Sequence, residues 1–312
     1  MKREYGLEQI EKDGRSLVTV GSFDGVHVGH QAIVQYLVRR AHQRRCRSVV
    51  ISFEPHPREV LTGEAVLLLS TIDERAGYLE ALGLDRFIVL PFTRAFAALP
   101  PEAFVHQVLV ERIGLEEIVV GYDHGFGQGR QGNVALLQKM GMQHGFTVDV
   151  ISARAVGQHV VSSTAIRRLL TDEGDVRKAA EMLGRPYALS GAVVPGDGRG
   201  HTIGYPTANI NVDHPRKVVP RRGVYAVRAH LAGEKAIYGG MMNIGYRPTF
   251  DGNTQIHLEV HLFDFNRAIY DQQLHIAFLD RLRDEQKFDG IEALVAQLAE
   301  DERQSRGVLE KY

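Results

Sequence analysis

Through the first 170 or so residues, short apolar runs alternate with stretches of helical periodicity. Leu17–Val20, Ser48–Phe53, Arg86–Leu90, Glu117–Val120 and Thr147–Ile151 read as strands. Between them Val28–Arg45, Asp73–Leu82, Pro101–Ile113 and Val134–His144 read as helices, the first with Ile33, Leu37 and Ala41 on its apolar stripe. Strands that are apolar throughout, each followed by a helix, predict a parallel sheet covered on both faces, with right-handed crossovers. Thr164–Leu170 and Asp175–Leu183 read as two closing helices.

The pattern changes at Gly184-Arg185-Pro186. Beyond it, Leu189–Val194, Gly223–His230, Lys235–Met242, Thr254–Phe263 and Leu274–Leu279 are β-rich runs divided by Gly/Pro turns, and helical periodicity returns in Gly290–Leu298. This predicts a small antiparallel barrel closed by a terminal helix. A chain of 312 residues exceeds what one core usually supports. The expected division is therefore residues 1–184 and 185–312.

Thirty-seven basic against 38 acidic residues leave a net charge of -1, which argues against nucleic acid or an anionic membrane as partner. One cysteine, Cys46, excludes an intrachain disulfide framework. No signal-peptide core opens the chain, and no apolar run approaches the ~20 residues of a membrane span. The expectation is a cytoplasmic protein.

The first strand runs into Gly21-Ser22-Phe23-Asp24-Gly25-Val26-His27-Val28-Gly29-His30. Loops beyond the carboxyl ends of parallel strands are where ligands bind, and a helix start there offers N–H groups to phosphate. Gly25 and Gly29 bring backbone close, and His27 and His30, three apart, point to one side of the first turn. A second such junction is Ser162-Ser163-Thr164-Ala165-Ile166-Arg167, with hydroxyls and a forked cation. Gly127-Gln128-Gly129-Arg130-Gln131-Gly132 imitates a dinucleotide fingerprint with Asp149 downstream, but it is not in the first strand-to-helix turn, and it reads as a loop.

In the second part, Gly196, Gly200 and Gly204 precede Tyr205-Pro206-Thr207-Ala208-Asn209. No Gly-Lys-Ser/Thr occurs, so a phosphoryl-transfer site must hold Mg²⁺ otherwise. Thr207 and Asn209, two apart in an extended segment, are hard oxygen ligands on one face. Gln255–Leu262 alternates, with Ile256, Leu258, Val260 and Leu262 on one face and His257, Glu259 and His261 on the other. The His-x-Glu-x-His spacing does not suit zinc on a strand, where alternate side chains stand about 7 Å apart.

The histidine segment resembles the signature of the nucleotidylyltransferase superfamily, and the Ser-Ser-Thr-x-x-Arg segment resembles the element that completes its triphosphate site. With Phe53-Glu54-Pro55-His56-Pro57 and Gly121-Tyr122-Asp123-His124-Gly125-Phe126-Gly127, they resemble the FMN adenylyltransferase half of the bacterial bifunctional riboflavin kinase/FAD synthetases. Glu54 and His124 depart from that family's usual Asp and frequent Phe, and His201 stands where arginine is common. The glycine arch with Pro206-Thr207-Ala208-Asn209 resembles the riboflavin kinase signature.

The resemblance implies a Rossmann-like adenylyltransferase domain and a kinase barrel that make FMN from riboflavin and then FAD, using ATP and Mg²⁺. It assigns ATP in the first domain to Gly25, His27, His30, Ser163, Thr164 and Arg167, with His27 and His30 also catalytic through the charge that grows on the leaving pyrophosphate. Flavin contacts fall to His56, Asp123 and Phe126. In the second domain Gly196, Gly200, Gly204, Thr207 and Asn209 take ATP, Thr207 and Asn209 ligate Mg²⁺, and Glu259 is the catalytic carboxylate. The expected partners are small molecules alone, with the chain a monomer or weak homo-oligomer. Two alternatives stay open: kinase activity alone, or a flavin or nucleotide sensor without turnover.

Overall fold

The computed structural model describes residues 1–10, 14–121, 125–152, 155–156, 159–196, 198–248 and 254–312. The chain forms two compact units, Met1–Ser163 and Thr164–Tyr312.

In the first unit β1 (Lys2–Tyr5), β2 (Ser16–Val20), β3 (Arg47–Glu54), β4 (Arg86–Pro91), β5 (Leu115–Gly121) and β6 (Thr147–Ile151) form one sheet in the order β1-β4-β3-β2-β5-β6. All its pairings are parallel. Side-chain alternation divides the core between the faces. Val18, Val20, Val49, Ile51, Ile88 and Leu90 pack on one side with Val105, Leu109 and Leu137. Leu17, Val50, Phe87 and Val89 pack on the other with Leu37, Ala41 and Leu79 of the helices Val28–Arg44 and Ile72–Ala81. Each of these Val, Leu, Ile and Phe side chains, once buried, is worth ~1.5–3 kcal/mol. The strand order reverses between β2 and β5, so the loops leaving these two strands meet at the switch point where open α/β sheets bind ligands.

Two features of this unit differ from expectation. Pro101–Ile113 is not one regular helix: a single α turn at Pro101–Ala103 gives way to a π-helix over Phe104–Ile113 that ends at Gly114. The edge strand β1 has no apolar signal. Its Glu4 is nonetheless buried, because Arg86 of β4 donates to it from Nε at 2.7 Å and from a terminal nitrogen at 2.5 Å. Beyond β6 a short hairpin joins β7 (Ala155–Val156) to β8 (His159–Val160).

In the second unit β9 (Tyr187–Val194), β10 (Ala208–Val212), β11 (Gly223–Leu231), β12 (Tyr238–Pro248), β13 (Thr254–Leu262) and β14 (Gln273–Arg283) close into an antiparallel barrel, ordered β10-β13-β12-β11-β14-β9. Leu189, Val193, Leu258, Val260, Leu262, Ile276 and Phe278 fill it. The β10–β13 seam that completes the closure is short, pairing Ala208 with Val260 and Asn209 with Glu259.

The strand expected over Lys235–Met242 lies further along, at Tyr238–Pro248. Of the apolar face read along β13, Leu258, Val260 and Leu262 are buried, while Ile256 is 42% exposed. The last helix spans Ile291–Leu309, twice the expected length. Its second half carries so many charges that no apolar stripe is visible, yet Asp301 is 1% exposed. Arg283 of β14 binds Asp301 through Nε at 2.8 Å and through a second nitrogen at 2.6 Å, which compensates the buried carboxylate.

Candidate functional sites

The turn after β2 is held in a strained shape. Phe23 and Val26 have φ of 49° and 39°, conformations that cost of order 1–3 kcal/mol for residues with a Cβ. Asp24, wholly buried, maintains the shape. It accepts from the Leu69 and Ser70 backbone N–H groups at 3.0 and 2.9 Å and from the Ser70 hydroxyl at 3.1 Å, and the Arg75 guanidinium stands 3.5 Å away. The Gly25 N–H donates to Ser70 Oγ at 2.7 Å, so it serves the turn itself. The Ser163 hydroxyl donates to the Asp24 carbonyl at 2.9 Å, joining the second sequence element to the first.

His27 caps the helix Val28–Arg44, its Nδ1 accepting the His30 N–H at 3.2 Å. In the neutral ring Nε2 then carries the proton and is a donor. The two imidazoles stack with centroids 3.6 Å apart and planes 14° from parallel. A Cβ at position 29 would meet the His27 ring at 3.1 Å, so Gly29 makes room for the stack. Burial, then the neighbouring His27 ring, then Arg75 push the His30 pKa well below its usual value, so His30 is neutral at pH 7. Its Nδ1 is buried with no hydrogen-bond partner among the described residues, an orphan an incoming oxyanion or hydroxyl would satisfy.

Thr164 and Arg167 continue the short helix Ser163–Arg168; Thr164 is exposed and Arg167 half-buried. Of the expected flavin contacts, His56 caps the helix Pro57–Thr62, accepting the Arg58 N–H at 3.2 Å. Asp123 lies outside the described residues, as does His124. Phe126 is buried against Phe104 and ends a string of rings, Phe53, Phe92, Phe96, Phe104 and Phe126, at centroid spacings of 5.3 to 6.1 Å. The fingerprint imitation is a packing device. Gly127 and Gly132 lie where a Cβ would meet Pro101 and Phe126 within 2.8 Å, while Asp149 accepts the Tyr36 hydroxyl.

In the barrel, register assembles the second constellation. Asn209 of β10 pairs directly with Glu259 of β13, and Glu259 pairs on its other side with Asn243 of β12. Direct antiparallel partners share a face with Cβ atoms about 4.5–5.5 Å apart, so three polar side chains form a row with the carboxylate in the middle. Gly196 abuts that row: a Cβ there would fall 1.9 Å from Asn209 Nδ2. Gly200 lies under the Tyr205 carbonyl, 2.2 Å from where its Cβ would be, and 3.4 Å from the Thr207 hydroxyl. Gly204 has φ of +83°, a conformation glycine adopts without strain. His261 Nδ1 lies 2.7 Å from the Pro206 carbonyl and fixes the entry to β10. Beside the row opens a cleft of about 680 Å³ floored by Val194, Ile210, Val219 and Leu258.

Asp24, Arg75, Ser70 and Asn243 were not legible as site residues. A carboxylate enclosed between Phe23 and Val26 was the available signal for Asp24; the others depend on tertiary contacts.

A switch-point site with two stacked imidazoles, and a barrel with a glycine-framed Asn/Glu row, are the marks of a two-domain nucleotide-dependent transferase. The family profile for FAD synthetase matches residues 9–165, and that for riboflavin kinase matches residues 183–309. The chain is 40% identical over 303 residues to the bifunctional riboflavin kinase/FMN adenylyltransferase of Escherichia coli (strain K12), covering 97% of this chain and 95% of that protein. It is 38% identical over 301 residues to the protein of that name from Listeria monocytogenes, covering 96% and 94%. The crystal structure of a macrolide-efflux protein from Streptococcus pneumoniae superposes with a TM-score of 0.90 at 32% identity, covering 98% and 99%. Among the described residues no helix is long and apolar enough to cross a membrane. The chain belongs to the bifunctional riboflavin kinase/FMN adenylyltransferase family.

Proposed function

We propose that this chain phosphorylates riboflavin to FMN at the barrel site and adenylylates FMN to FAD at the switch-point site, each with its own ATP, residues 1–184 and 185–312 being the two catalytic domains. The observation that carries the kinase reading is the Asn209–Glu259 register, which brings residues fifty apart in sequence onto one face beside Gly196.

In the kinase step Glu259 accepts the proton of the ribityl 5′-hydroxyl, whose oxygen attacks the γ-phosphorus as ADP leaves. The Thr207 hydroxyl and Asn209 carboxamide oxygen suit Mg²⁺, and glycine at 196 and 200 lets the arch pack directly against Asn209 and the Tyr205 carbonyl, which fixes the place of these two ligands. Bound there, the ion would neutralise triphosphate charge. In the second step an FMN phosphate oxygen attacks the α-phosphorus and pyrophosphate departs. His27 and His30 donate to the departing charge from rigid positions, with Ser163, Thr164, Arg167 and the Gly25 turn completing that site. His56, Asp123 and Phe126 belong to the flavin side.

The substrates being small cellular metabolites, the enzyme works in the cytoplasm as a monomer or weak homo-oligomer. Incubation with riboflavin, ATP and Mg²⁺ yields FMN first and FAD later. FMN accumulating with no FAD from added FMN would leave kinase activity alone, and flavin binding with neither product would leave a sensor.

The glycine frame gives a further prediction. Gly196→Ala displaces the Asn209 carboxamide, raising KM for ATP in FMN formation about tenfold, ~1.4 kcal/mol, while FAD formation from FMN is unchanged. Steady-state kinetics on both steps checks this, with unchanged Tm showing that the barrel is intact.

A further inference from the structure

Asparagine is depleted from strands, because its short polar side chain packs poorly there and competes for backbone hydrogen bonds. Asn243 nevertheless sits mid-strand in β12, half-buried, between the buried Met242 and Ile244. It is the direct partner of Glu259, on the side opposite Asn209. Two residues along, Gly245 supplies no side chain, and two polar groups fill that space. A Cβ there would lie 2.4 Å from Glu285 Oε1 and 3.2 Å from Asn243 Nδ2. The carboxamide nitrogen therefore leans along the strand over Gly245, toward the Glu285 carboxylate and on the face that carries Glu259.

The Glu285 loop is held by two arginines of β14. Arg281 binds the Asp284 carboxylate at 2.6 Å, and Arg283 donates to the Asp284 carbonyl at 3.0 Å while anchored on Asp301. Asn243 thus stands as a neutral amide beside two carboxylates, Glu259 as its cross-strand partner on a rigid strand and Glu285 across Gly245 on a braced loop.

We infer that Asn243 is a positioning residue of the kinase reaction: its amide N–H groups hold the Glu259 carboxylate in the rotamer that faces the ribityl hydroxyl and separate it from Glu285. An amide suits this place because it donates two hydrogens and adds no charge. The inference rests on Glu259 being the catalytic carboxylate.

The test uses the full-length protein with Asn243→Ala, Asn243→Ser, Asn243→Asp, Glu259→Gln and the Asn243→Ala/Glu259→Gln double variant. FMN formation, FAD formation from FMN, and Tm are measured for each. Asn243→Ala lowers kcat for FMN formation about 10- to 100-fold, the usual effect of removing the support of a catalytic group, with KM for riboflavin and ATP within about threefold. Asn243→Ser, which keeps a short donor, regains part of that loss, and Asn243→Asp is slower than Asn243→Ala because it brings a third carboxylate. In the Glu259→Gln background, Asn243→Ala costs less than about twofold, because a residue acting through another is non-additive with it.

Multiplicative losses in the double variant, or an unchanged kcat in Asn243→Ala beside an inactive Glu259→Gln, would overturn the positioning role alone. An active Glu259→Gln would remove the catalytic reading on which it rests. Should Asn243→Ala fail to fold, the Ser–Asp comparison decides the matter: equal rates overturn the inference.

Discussion

Replacing His30 with alanine lowers FAD synthesis from FMN by about 10²–10³-fold and leaves riboflavin phosphorylation at its original rate. The magnitude is that of removing one fixed donor to charge that develops in the transition state, ~3–4 kcal/mol. The argument does not need an imidazolium. Enclosure and the adjacent His27 and Arg75 keep His30 uncharged at pH 7, so what is lost is an aimed hydrogen-bonding group stacked on the helix-capping His27. The second half of the claim follows from the two units, since His30 lies in Met1–Ser163 and the Asn209–Glu259 pair in Thr164–Tyr312. Chromatographic separation of riboflavin, FMN and FAD over time measures both steps in one reaction. Loss of both activities in this variant would contradict two separate sites.

Glu259→Gln has the opposite effect. The substitution keeps shape and hydrogen-bonding capacity on β13 but removes the proton acceptor, so kcat for FMN formation falls about 10²–10⁴-fold, the range for general-base catalysis. FAD formation from supplied FMN continues. Tm stays within a few degrees, because Glu259 is only half-buried and its inward neighbours Leu258 and Val260 still fill the barrel. An FMN-forming activity within threefold of the parent would refute Glu259 as the base.

The parts of this fold that were legible are those where burial alone dictates the residue. The inner strands β2, β3, β4 and β5 are apolar on both faces, and nothing but a doubly covered sheet accounts for Val49-Val50-Ile51 or Phe87-Ile88-Val89. What was hidden depends on pairing between distant residues. Lys2-Arg3-Glu4-Tyr5 reads as a polar terminus until Arg86 neutralises Glu4. Asp301 reads as solvent-facing until Arg283 reaches it. Segment β10 is Ala-Asn-Ile-Asn-Val, and its two asparagines mask a strand that only its pairing with β9 and β13 reveals.

The candidate sites divide the same way. Glycines and histidines at fixed spacing were legible as candidates for phosphate chemistry. The strut beneath them, Asp24 with Ser70 and Arg75, comes from another stretch of chain and has no linear signature. The neighbours of Glu259 follow from strand register, which single-sequence periodicity leaves open.

Closure of the barrel has a consequence for how the kinase activity can change. Glu259 has a strand on each side, and a one-residue slip of β13 would turn it inward while expelling Leu258 and Val260. Its placement is thus tied to the packing of the core and cannot drift by small steps. Gradual adjustment of this chemistry is left to the segments outside the staves, the glycine arch before β10 and the arginine-braced loop after β14, where sequence change costs the fold least.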